Sequence, residues 1–177
     1  MQLIVDGKFK QDDWQPVTQL SPALSSPALL TYSEETADVL ARSEVEATAL
    51  GLIVSADIDG ELLQGLLSQI SLLVIEFPDR LDGRGFSLAA ICRRSGFGGE
   101  IRASGDFIPD QYHHLKACGF DGLMVPAVGK HTELEWRKAF LRFPLRYQDK
   151  PAGGGFILAR RHTAGPEDNR ILARPNR

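Results

Sequence analysis

Side chains able to do chemistry stand closest together at Asp82-Gly83-Arg84-Gly85, with Ser87 two residues beyond. An arginine flanked by glycines lets the backbone approach a ligand closely. A helix opening near Ser87 would be capped by that hydroxyl, and its first amides would join the guanidinium in favouring negative charge. The chemistry that suits such a group is the binding of a small anion. A tight turn, with Asp82 paired to Arg84 across the loop, accounts for the same residues without any ligand. Arg102, Gly105 and Asp106 form a second group. Arg102 sits inside a strand-like run, so its charge needs a partner, and Glu76 or Asp106 is expected to supply it. A structural ion pair and a ligand-binding arginine oriented by Asp106 both fit that pattern.

The other reactive residue types are scattered. His113 and His114 are neighbours, so on a helix they face different sides, and His131 and His162 are isolated. No His, Cys or Asp spacing resembles a zinc or iron site, so no metal is expected. Cys92 and Cys118 form neither a CxxC motif nor a disulfide framework. Cys118 ends a helical run, where a thiol pKa rises rather than falls. There is no GxGxxG or Walker loop, no flavin fingerprint and no cysteine set for an iron–sulfur cluster. Catalytic residues and cofactor therefore stay unassigned.

The elements that must position these groups read as an α/β fold. Residues 2–18 suggest a β-hairpin turning at Asp6-Gly7, with Trp14 packing it on the body. Residues 19–33 are interrupted by Ser and Pro and read as a connector. Ser33 then caps a short helix running to about Ala41. From residue 50 to 141, strand-like runs alternate with helical ones: 52–54, 72–77, 100–104 and 120–125 against 61–70, 87–94, 109–118 and 132–141. That alternation predicts a mainly parallel sheet of about four βα units joined by right-handed crossovers. An open sheet with helices on both faces is the favoured arrangement and a half-barrel the alternative. Loops 55–60, 78–87, 104–110 and 126–132 should meet at the carboxyl ends of the strands, where ligands bind in such sheets. Residues 142–149 suggest an edge strand that completes a single domain over 1–149. Residues 150–177 form a Gly/Arg-rich tail, expected to be flexible.

The chain has 177 residues and a net charge of −3. From Lys150 onward six basic residues face two acidic ones, so the tail is basic and the body acidic. Neither the overall charge nor any basic-aromatic platform points to nucleic acid. The opening MQLIVDGKFKQDDW lacks the pattern of a signal peptide, and no apolar run approaches a membrane span. A cytoplasmic protein is expected.

Several motifs together resemble one bacterial family. They are Phe77-Pro78, Asp82-Gly83-Arg84-Gly85-Phe86-Ser87, the run from Gly99 to Asp106, Asp110-Gln111 and Cys118-Gly119-Phe120-Asp121. The string is similar to that of the DUF934 family of uncharacterised proteins. Asp12-Asp13-Trp14 and Tyr147-Gln148 extend the likeness over about residues 2–149. The family often carries Tyr where this chain has Phe86, which removes a ring hydroxyl. The resemblance implies an association with assimilatory sulfite reduction and a description as an oxidoreductase. It implies sulfite reductase subunits or a small anion as partners. The ligand-binding residues expected are Asp82, Gly83, Arg84, Gly85, Ser87, Arg102, Gly105 and Asp106. Two other expectations stand beside an accessory role. One is a stand-alone enzyme using Asp82 or Asp106 as acid/base on an anionic substrate, and the other is a non-catalytic interaction module.

Overall fold

The computed structural model describes residues 1–18, 27–37, 50–79, 82–126 and 131–142. Met1–Phe140 form one compact unit, and the unit that follows, Leu141–Arg177, lies almost wholly outside the described residues. The edge strand expected at 142–149, the tail at 150–177 and most of the connector at 19–33 also lie outside them.

The fold is α/β, built on one eight-stranded sheet. Its strands are β1 (Gln2–Val5), β2 (Lys8–Lys10), β3 (Gln15–Val17), β4 (Ala28–Thr31), β5 (Leu50–Ser55), β6 (Leu72–Glu76), β7 (Glu100–Ser104) and β8 (Gly122–Val125). The helices are α1 (Gly60–Leu66), α2 (Arg84–Arg94), α3 (Tyr112–Cys118) and α4 (Glu133–Arg142), with one further helical turn at 34–37. The hairpin expected at the start is present but stops at Lys10. It turns at Asp6 and Gly7, both with positive φ (51° and 72°), as a tight two-residue hairpin turn requires. Residues 15–17 leave it altogether and pair with β4 in parallel. Part of the expected connector is itself a strand, because Ala28, Leu29 and Leu30 are buried in the sheet. Four parallel units thus become six parallel strands.

Strand order is β2-β1-β8-β7-β6-β5-β4-β3. The six parallel strands lie side by side in the order in which they occur in the chain. Right-handed crossovers between sequential neighbours all fall on one face. The core agrees. Leu52, Val54, Leu73, Ile75, Ala103 and Leu123 share one cluster with helix residues such as Leu63, Leu88, Leu115 and Trp136. The opposite face carries Leu29, Leu72 and Val74, packed against Trp14, Ile53 and Met124, with no helix residue among them. Among the described residues the expected two-sided open sheet is therefore replaced by a one-sided one, and its parallel strands have no point where their order reverses.

Chain length then fixes the curvature. β2 and β3 are the two edges of the sheet, yet only residues 11–14 join them. A flat sheet of eight strands is about 34 Å across, taking about 4.8 Å per gap. Five residue steps reach at most about 18 Å. The sheet must roll so that its edges approach, with the strap 11–14 crossing the inner face. Trp14 lies there against Gly51, where an added Cβ would come within 3.0 Å of the indole and 2.9 Å of Leu29. Asp12 lies over β7 and accepts a 2.7 Å hydrogen bond from Arg102 Nη1. Glu100 takes the other side of the same guanidinium, at 2.8 Å and 3.1 Å. The expected partners of Arg102, Glu76 and Asp106, are thus replaced by Asp12 and Glu100. Glu100 lies two residues earlier on the same face of β7, and only the strap could bring Asp12 within reach.

Arg102 is 5% exposed. Burial alone would lower its pKa, but the bonds from Glu100 and Asp12 outweigh that and raise it. Removing one member of such a pair strands its partners. Arg102→Ala should therefore cost about 2–4 kcal/mol in urea denaturation. An unchanged midpoint would show that the strap is held by Trp14 alone.

Candidate functional site

The carboxyl ends of the parallel strands gather the loops after β5, β6 and β7. Register places Ser55, Glu76, Ser104 and Met124 side by side as the last row of the inner face. Beneath the loops lies an aromatic floor centred on Phe77. Its ring meets Phe86 and Phe107 at 5.1 Å each and Phe120 at 6.0 Å. This floor explains Gly85. A Cβ there would stand 2.3 Å from the Phe77 ring, so the glycine lets α2 sit on Phe77 and does not open the backbone to a ligand. Gly105 is similar: a Cβ would be 3.0 Å from the Phe77 carbonyl oxygen, and the Gly105 amide donates to Met124 O at 3.1 Å. Gly83 is different, with nothing within 4 Å of an added Cβ.

Asp82 and Arg84 form a two-pronged pair above this floor. Arg84 Nε lies 3.0 and 3.1 Å from the two carboxylate oxygens, and Nη2 lies 2.6 Å from Oδ2. The Arg84 amide also donates to Asp82 Oδ1 at 3.0 Å. The turn pairing foreseen from sequence is therefore present. Hydrogen bonds from the Arg84 side chain and amide hold the Asp82 carboxyl down at about 2, and the same contact raises the guanidinium. Asp57 joins the group from the loop after β5. A hydrogen bond from Ser55 lowers its pKa, helped by its own backbone amide and by the charge of Arg84.

Helix α2 begins at Arg84, earlier than expected, because Asp82 turns the chain into it. Ser87 consequently lies inside the first turn and caps nothing; Gly83 at the N-cap position has no side chain, and Asp82 takes only the first amide, that of Arg84. Ser87 and Asp106 are exposed at this edge. Arg102 does not join them, since its hydrogen bonds run to Glu100 and to the strap. The expected set is therefore split. Asp82, Gly83, Arg84, Gly85 and Ser87 stand together, Gly105 and Asp106 follow β7, and Arg102 belongs to the inner face. No group of three or more His, Cys, Asp or Glu residues that could hold a metal occurs among the described residues. No described helix is long and apolar enough to cross a membrane.

One arginine outside the expected set organises the other end of α2. Arg93 donates to the carbonyls of Gly119 (3.0 Å), Phe97 (2.9 Å) and Gly99 (2.7 Å), and it pairs with Asp121. Asp121 in turn accepts from the Ile101 amide at 2.8 Å. Its only trace in the sequence is Arg93 in a last helical turn before a glycine-rich loop.

A profile of bacterial proteins of unknown function, DUF934, matches residues 51–154. The chain belongs to the DUF934 family. No curated protein matches it. The DUF934 match takes in Asp57, the pair of Asp82 and Arg84, and the Arg93 clamp, whereas the hairpin and the strap with Asp12 precede it.

Two measurements test this geometry. In a carboxyl NMR titration Asp82 should titrate near 2 and move toward its ordinary 3.8 in Arg84→Ala. The folded value is depressed, so whatever the pair adds to stability is complete above about pH 4 and is lost as pH falls toward 2. A titration near 3.8 in the parent protein would show the pair to be broken in solution. Gly85→Ala should destabilise by about 1–3 kcal/mol through overpacking on Phe77, measured by thermal or urea unfolding. A neutral result would mean that α2 is not seated on that ring.

Proposed function

We propose that this protein binds a small anion in the cytoplasm as an accessory protein of assimilatory sulfite reduction. The observation that carries this reading is the state of Arg84. Its side chain is 61% exposed at the carboxyl edge of the parallel strands, and it opens a helix whose N-cap, Gly83, has no side chain, Asp82 taking only the first amide. Nε and Nη2 are spent on Asp82, while Nη1 makes no hydrogen bond to another described residue. Guanidinium N–H groups beside the remaining first-turn amides suit an oxyanion such as sulfite. Asp82 holds the guanidinium in place and lowers the net charge, which favours exchange over tight capture.

The ion pair also favours an accessory over an enzyme that uses Asp82 as acid/base. A carboxyl near 2 is fully ionised at neutral pH and is a weak base. The association of the DUF934 resemblance with sulfite reduction supports sulfite as the anion and the reductase subunits as partners. One observation favours a second reading, a non-catalytic interaction module. Leu134 and Leu141 are both exposed, two turns apart along one face of α4.

Thermal-shift measurements with sulfite, sulfate and phosphate, with flavins and nicotinamide nucleotides as comparisons, test the proposal. A ligand at about 100 times its Kd adds about 2.7 kcal/mol. Sulfite should raise the midpoint, Arg84→Ala should abolish that rise without unfolding the protein, and growth on sulfate as the sulfur source should fall. No shift with any anion, or normal growth of the variant, overturns the site. Capture of reductase subunits by both proteins, but not by Leu134→Glu, would then favour the interaction module.

A further inference from the structure

A second concavity lies at the opposite end of the strands. It is a groove of about 480 Å³ between the 3₁₀ turn Leu67–Gln69 and the 95–99 loop that follows α2. Its volume is within the roughly 300–1,000 Å³ of small-molecule sites. The lining divides into two kinds of surface. Leu67, Ile70 and Phe97 give it a buried apolar floor. Gln64, Ser68 and Ser95 supply side chains that hydrogen-bond to no described residue, and the amides of Gly98 and Gly99 are likewise unpaired. Among the described residues, no ionisable side chain lines it.

Arg93 decides which way the loop faces. Its Nη1 binds the carbonyls of Phe97 and Gly99, turning two acceptors back into the protein. In a trans peptide the N–H points opposite the C=O. The Gly98 amide, which shares its peptide with the Phe97 carbonyl, is therefore directed away from Arg93. The two glycines differ in what they do. A Cβ at Gly99 would collide with the Phe97 ring at 2.4 Å and with Ser71 O at 2.5 Å, so packing requires that glycine. A Cβ at Gly98 would meet nothing within 4 Å. Packing does not require Gly98, and the missing side chain leaves the amide side of the loop bare.

We propose that this groove binds a small organic molecule carrying an oxygen acceptor, carbonyl or carboxylate, on an apolar body. The unpaired amides and the side-chain donors meet the oxygen, while the floor of Leu67, Ile70 and Phe97 takes the body. A cationic ligand finds no carboxylate among the described residues of the lining. This site is independent of Arg84, which stands at the other end of the parallel strands.

Backbone amide NMR titrations of the full chain with benzamide, benzoate and benzylamine test it. The three share a ring and differ in the group presented to the loop. Benzamide and benzoate should shift the Gly98, Gly99 and Ser68 amides in a saturable way, and benzylamine should not. Gly98→Leu, whose side chain enters open space, should abolish those shifts while the rest of the spectrum stays in place. Equal shifts with benzylamine would mean unspecific adsorption to the apolar floor and would overturn the donor assignment. No shift with any probe, or shifts that survive in Gly98→Leu, would show a merely solvated groove.

Discussion

Four residues must carry the chain from one edge of an eight-stranded sheet to the other, and the sheet rolls because they cannot reach across it flat. Much else follows from that short strap. Its inner side is narrow, so a glycine stands at position 51 where Trp14 lies against the sheet. Its one carboxylate over β7, Asp12, meets the one arginine that the strand turns inward. With the strap on the inner face, the described helices are left to the outer face, where they share a single core. A charge buried this deeply is tolerated because two carboxylates and good geometry surround it.

The two ends of the parallel strands are built from opposite materials. At the carboxyl end an aromatic floor carries an exposed ion pair, so charge is concentrated where loops from three strands meet. At the amino end Arg93 is turned inward as a clamp, and the loop that it holds presents neutral donors. Both arrangements depend on α2, which begins at Arg84 and ends at Arg94. Phe77 seats its first turn through Gly85, and Arg93 ties its last turn to β7 and β8. The helix is thereby held at both termini by contacts that are not part of its own backbone pattern.

Much of the local structure was legible from residue types. Asp6-Gly7 marked the hairpin turn, and the helical runs expected from 61 and from 132 are present as α1 and α4. The apolar runs of β5, β6 and β8 identified strands because each buries both of its faces. The short strands β3 and β4 were missed, since Pro16 and the Ser/Pro-rich surroundings suppress any periodic signal. At the site, the pairing of Asp82 with Arg84 could be read from a spacing of two. The start of α2 at Arg84 could not, because the cue at Ser87 competed with the Asp82 turn that sets it.

Sequence alone determined the α/β class, the hairpin turn, the four main helical runs, and the polar loops at the carboxyl ends of the strands. These depend on propensity, periodicity and capping, which act over a few residues. Tertiary structure alone decided the strand order, the roll of the sheet, the partners of Arg102 and the purpose of Gly85. Each of those joins residues remote in the chain or sets the space left between them. The contact of Arg102 with Asp12 spans 90 positions, and the closeness of Phe77 to Gly85 exists only once α2 lies on β6. Such contacts are set by how far the chain can reach and how closely side chains pack, and no local pattern records either.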